Sequence, residues 1–164
     1  MSGIRRPAIL KALFIFVFNF NSVAQTAYNK QGFYDAMSSK DINVIDKEIN
    51  EAEKAPGLDK QAIIGTLTMK KAGLVAGVGN KLKVFKAGVQ ELEASIKQDN
   101  KNAEYRFMRL MIQENAPGIL GYKKEIKGDS DYLRKSFKTL PEPVQSAIIK
   151  YAKSSKVLSE KDFN

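Results

Sequence analysis

Apolar side chains recur along this chain at steps of three and four, and that spacing restricts the fold more than any other feature. Leu82, Phe85, Val89, Leu92 and Ile96 step by 3, 4, 3 and 4, which lays them along one side of an α-helix. Ile42, Ile45, Ile49 and Ala52 repeat the pattern at 3, 4 and 3, with Asp41 placed to cap the start and Pro56-Gly57 to end it. A short helix holding Tyr28, Phe33, Tyr34 and Met37 precedes that one. Asp59 is placed to cap a third helix, with Ile63, Leu67 and Leu74. A fifth spans about 102 to 115 and stops at Pro117-Gly118. Asp129 or Ser130 can cap a sixth, with Leu133, Phe137 and Leu140, and Pro141 and Pro143 open a seventh, with Val144, Ile148 and Tyr151. Ser159 to Asp162 has the shape of a short capping box. No alternating segment or Asn-Gly hairpin signal interrupts the series. The expected fold is all-α: six to seven antiparallel helices, forming an array of helical hairpins or a compact bundle.

Residues 1–24 read differently, as a signal peptide for export. Arg5, Arg6 and Lys11 give a positive start, Ala12 to Phe18 an apolar run, and Ser22-Val23-Ala24 small side chains at the cleavage positions. Cleavage after Ala24 leaves Gln25 first and 25–164 as a single α-helical domain. A spanning helix needs about 20 apolar residues, and Asn19 and Asn21 interrupt this run earlier. The expectation is an exported protein, periplasmic or extracellular, with no stable membrane span after cleavage.

Cleavage removes three positive charges from a chain whose formal net charge is +9. The positive residues left are Arg106, Arg109, Arg134 and otherwise Lys. Nucleic-acid sites favour the bidentate fork of Arg, so an exported, Lys-rich chain points away from nucleic acid. The 164 residues contain no Cys and no His, which removes thiol nucleophiles, imidazole general bases and the usual zinc ligands. No cofactor and no metal is expected.

The fifth helix carries the candidate site. Ala103, Phe107, Leu110 and Met111 share one face, Tyr105, Met108 and Ile112 the opposite one, as in a helix sandwiched between neighbours. Arg106, Arg109 and Gln113 form its polar strip, and Glu114 falls inside an apolar face, where a carboxylate needs a partner. Two readings follow. Arg106, Arg109, Glu114 and Asn115 form a pocket for an anionic or peptide-like ligand beside loop 115–122, or Glu114 is structural. In the second case it pairs with Arg or Lys, or accepts N–H groups from the Asn115-to-Gly118 turn.

Other candidates reduce to structure. Gly73, Gly77 and Gly79 meet neither phosphate-loop spacing and follow no strand, so Gly77 or Gly79 is expected to close a helix. Asp129 and Asp131 suit a helix start. Glu51 and Glu53 lie roughly 200° apart around a helix and make no acid/base pair.

Leu92-Glu93-Ala94-Ser95-Ile96-Lys97-Gln98-Asp99-Asn100 resembles the end of a tetratricopeptide repeat, with Ser95 at the small position and Asn100 where Pro is usual. The resemblance covers residues 60–115 and lacks the first-helix Trp/Leu/Gly/Tyr signature. It implies a scaffold for protein contacts with no catalysis of its own. The mature chain also resembles small secreted bacterial proteins, which implies no particular chemistry.

The expected function is an exported helical module that binds a protein or peptide partner in a groove between helices. Lys and Arg at the rim would steer an acidic partner. Arg106, Arg109 and Gln113, then Tyr122, are the residues expected to matter first, with Glu114 and Asn115 beside them. The alternative is a cell-envelope protein that binds a small ligand or polysaccharide. A carboxylate glycosidase would need two opposed acids, and no such pair stands out.

Overall fold

Short polar side chains start the helices. In the computed structural model, which describes residues 28–55 and 57–163, Asn29 accepts the Gln31 amide at 3.0 Å and opens α1, Lys30–Ser38. Asp41 accepts the Asn43 amide at 2.8 Å and opens α2, Ile42–Ala52. Each bond satisfies a first-turn donor that has no partner inside the helix. The expected signal peptide, residues 1–24, and Pro56 lie outside the described residues.

Next come α3, Gly57–Ala72, and α4, Val78–Gln98. Asn102 then accepts the amides of Glu104 and Tyr105 and opens α5, Ala103–Asn115. A 3-10 turn at Gly118–Leu120 leads to α6, Ile126–Ser136, and a second, Phe137–Thr139, to α7, Glu142–Ala152. A last 3-10 turn spans Glu160–Phe163, where Asp162 takes the Ser159 amide at 2.8 Å. No strand occurs among the described residues, and no helix there is long and apolar enough to cross a membrane. The all-α expectation holds.

Four local expectations need correction. The sixth helix begins at Ile126, not at Asp129 or Ser130; Asp129 lies within its first turn, and its carboxylate faces Arg106 and Arg109 instead of capping. Asp59 lies inside the first turn of α3, where its carboxylate takes the Tyr105 hydroxyl at 2.7 Å. Gly77 opens α4 rather than closing α3, at a φ of 81° that suits a residue without Cβ. Leu140 is extended and follows the 3-10 turn instead of ending α6.

The closest helix pair is α3 with α4. Gln61 reaches Glu91, and Gly65 meets Gly88 further along, so the two run antiparallel. A Cβ on Gly88 would lie 2.5 Å from the Gly65 carbonyl oxygen, and one on Gly65 2.7 Å from the Leu92 nitrogen. Both positions therefore need glycine for backbone to touch backbone.

The centre of the fold is α5. From Ala103 to Glu114 every residue except Arg106 is buried, as a helix apolar on two sides requires. Phe107 and Leu110 are fully covered, and burying each contributes about 1.5–3 kcal/mol. Tyr34 of α1 and Tyr151 of α7 pack on the Phe107 ring, at centroid distances of 5.9 and 5.6 Å. Helices α3, α4 and α6 also contact α5, and α1 touches α7. Contact between the first and last helices closes the arrangement into a bundle around α5.

Candidate functional site

The polar strip of α5 faces protein. Arg109 is buried and forks onto Asp129, its Nε 2.7 Å from Oδ2 and its Nη2 2.8 Å from Oδ1. Its Nη1 donates to Glu93 at 2.9 Å. Arg106 adds a third donor to Asp129 at 3.2 Å, gives two hydrogen bonds to the Asn100 carbonyl and lies over the Tyr132 ring at 4.4 Å. Burial opposes the charge on Arg109, but Asp129 and Glu93 outweigh it and raise the guanidinium above its ordinary range. Asp129 is wholly buried, and its two oxygens take three donors, which is what keeps a buried carboxylate tolerable.

Glu114 is structural too, through partners that differ from those expected. It accepts the Tyr151 hydroxyl at 2.8 Å, the Ser155 hydroxyl at 2.7 Å and the Lys156 amide at 2.7 Å. All three come from the end of α7 and the segment after it, not from the Asn115-to-Gly118 turn. Glu114 thereby ties the C-terminal segment to the central helix.

The same device recurs. Tyr28 donates to Glu48, Tyr34 to Glu104 at 3.0 Å, Tyr105 to Asp59 at 2.7 Å, and Tyr122 to Glu93 at 2.6 Å. Lys30 completes the Glu104 site with an ion pair. Burial first, and the adjoining carboxylate next, push the hydroxyls of Tyr28, Tyr34, Tyr105, Tyr122 and Tyr151 well above the usual tyrosine range. A chain without His has wired its interior with tyrosine–carboxylate and arginine–carboxylate pairs.

The opposite character appears where α1, α3, α4, α5 and α7 leave a space of about 830 Å³. Tyr34 and Met37 come from α1, Met69 and Lys70 from α3, and Leu74 from the turn after it. Val78, Lys81, Leu82 and Phe85 line it from α4, and Met111, Ile112 and Asn115 from α5. Ile119 of the 3-10 turn and Lys150 and Tyr151 of α7 complete it. Val78 is 85% exposed and Ile119 95%. Of the five large apolar side chains exposed among the described residues, only Val44 lies elsewhere, while Leu74, Val78, Leu82 and Ile119 line this groove.

The candidate residues are therefore divided. Arg106, Arg109 and Tyr122 gather around Asp129 and Glu93. Gln113 is 2% exposed, with its Oε1 unbonded among the described residues. Glu114 sits on the C-terminal clasp, and Asn115, whose amide donates to the Met111 carbonyl at 2.8 Å, alone lines the groove. The rim carries Lys but neither Arg, correcting the expectation of both.

Residues missed from the sequence are Leu74, Val78, Leu82 and Ile119. Val78 and Ile119 did carry a signal, each being apolar within a glycine-rich turn. No carboxylate lines the groove, so it holds no pair of opposed carboxylates. Among the described residues no three acids converge as metal ligands would. Comparison with protein-family models, with curated proteins and with solved structures finds no match to this chain.

Proposed function

We propose that this chain is an exported helical interaction module, without catalysis of its own, that binds a protein or peptide partner in the groove between α1, α3, α4, α5 and α7. One observation carries the reading: nearly all the large apolar side chains left exposed among the described residues converge on that one groove. Apolar surface gathered in a concave, polar-rimmed site favours burial of a partner's side chains. A closed pocket with converging polar groups would favour the small-ligand alternative, and here the converging polar groups are spent inside the fold. We retain the tetratricopeptide resemblance of residues 60–115 as part of the proposal, since most of α3, α4 and α5 fall within it.

Capture from cell-envelope extract tests the reading, with the wild-type chain beside a Leu82→Lys, Ile119→Asp variant. The wild type should retain a partner that the variant loses, while circular dichroism stays unchanged. Identical captures by both would refute the groove. Export is tested by sequencing the protein recovered outside the cytoplasm: it should begin at Gln25, and a product that keeps Met1 would contradict cleavage.

A further inference from the structure

We infer that the occupant of the groove is an acidic amphipathic α-helix, seated by its apolar stripe and held at the margins by carboxylates. This inference rests on the groove being the binding face and adds the chemistry of what enters it.

Charge is the first argument. Lys70, Lys81 and Lys150 line the groove, no Asp or Glu does, and no carboxylate comes within 4.0 Å of these three ammonium groups among the described residues. Lysines without an acidic partner among the described residues occur elsewhere too, Lys86 and Lys97 among them; what marks the groove is that three ammonium groups line one concavity with no Asp or Glu in its lining. Burial and the nearby charge of Lys40 both lower the Lys70 ammonium's affinity for its proton. An arriving carboxylate relieves that surplus of positive potential.

Backbone chemistry is the second. The groove is walled by helices, and no strand edge exists among the described residues to receive an added strand. An extended segment laid on an apolar floor would leave its N–H and C=O groups unpaired. A helix brings its own pairs and presents apolar side chains at i, i+3, i+4 and i+7. Met37, Met69 and Met111 supply unbranched, deformable contacts along the groove, a surface that repacks around the ridges of a partner helix.

The test uses a synthetic helix of about 18 residues with a Leu stripe flanked by Glu, and matched peptides with Gln or Lys for Glu. One Trp in each peptide reports binding, since the chain has no Trp. The Glu peptide should bind at least about tenfold tighter than the Gln peptide at low salt. That gap should narrow as NaCl rises from about 50 mM to about 0.5 M. A Lys81→Glu, Lys150→Glu variant, both sites being exposed and its fold checked by circular dichroism, should prefer the Lys peptide. Equal binding of Glu and Gln peptides, both lost in Leu82→Lys, would overturn the acidic-helix inference and leave the groove reading standing. Palmitate binding where the peptides do not would also overturn it. No effect of Leu82→Lys on peptides that do bind would overturn both.

Discussion

Around Asp129 and Glu114 every carboxylate oxygen finds a donor, whereas around Leu82 and Ile119 apolar side chains are left facing water. Both regions are built on α5 and lie within one small bundle, yet they resolve opposite problems. The first takes charged groups that would be costly in a core and satisfies each one. The second leaves apolar surface that could have been covered by a longer loop or a larger side chain. A charged residue on the central helix is thus poor evidence of a site here, and an uncovered apolar residue is better evidence. The chemistry that looks most functional in the sequence holds the fold together.

That division implies unequal consequences for disturbing the two regions. The largest should come from alkaline pH. An unfolded tyrosine ionises near pH 10, while Tyr28, Tyr34, Tyr105, Tyr122 and Tyr151 are held above that range in the fold. Above about pH 10 the unfolded chain therefore binds fewer protons than the native one, and stability falls as pH rises. It is fully present below that point. Denaturation midpoints should drop steeply as pH rises above about 10, with the tyrosinate absorbance of these five side chains appearing only as the protein unfolds. Absorbance of all six tyrosines titrating near pH 10 in a folded protein would break the picture of a wired interior.

Asp129→Ala comes next. It leaves the buried Arg109 with Glu93 as its one carboxylate and takes a partner from Arg106, a loss of about 3–5 kcal/mol, to be read from urea denaturation. Replacing Arg109 and Asp129 together by apolar residues should recover much of that loss, since the two buried charges leave together and the partners they abandon, Arg106 and Glu93, both reach solvent. Glu114→Gln ranks third, at about 1–3 kcal/mol, because an amide nitrogen must face a hydroxyl or the Lys156 N–H. An unchanged melting temperature there would remove the structural role of Glu114. Leu82→Lys should be smallest for stability, within about 0.5 kcal/mol, and largest for partner capture.

The helices were legible in the sequence because burial of one face imprints a period on the residues, and α4 follows its stripe from Phe85 to Ile96 while Leu82, at its head, opens into the groove. Asp41 announced its own cap. What periodicity omits is the identity of the neighbour. Asp129 looked like a cap because its position relative to Arg106 and Arg109 exists only once α6 packs on α5. Gly65 and Gly88 carried no local mark, since what demands glycine is the backbone of another helix. Glu114 was recognisable as a carboxylate that needs partners, but those partners lie 37 to 42 residues further on. The groove was least legible, being the place where stripes from several helices fail to meet.

Mapping backbone amide shifts on the folded chain as the captured partner is added tests the division of labour most directly. Perturbations should gather at Met69, Leu74, Val78, Leu82, Met111 and Ile119, leaving the amides around Arg109, Asp129 and Tyr122 in place. Shifts centred on Arg106, Arg109 and Tyr122, with the groove silent, would show that the buried ionic cluster, and not the apolar opening, receives the partner.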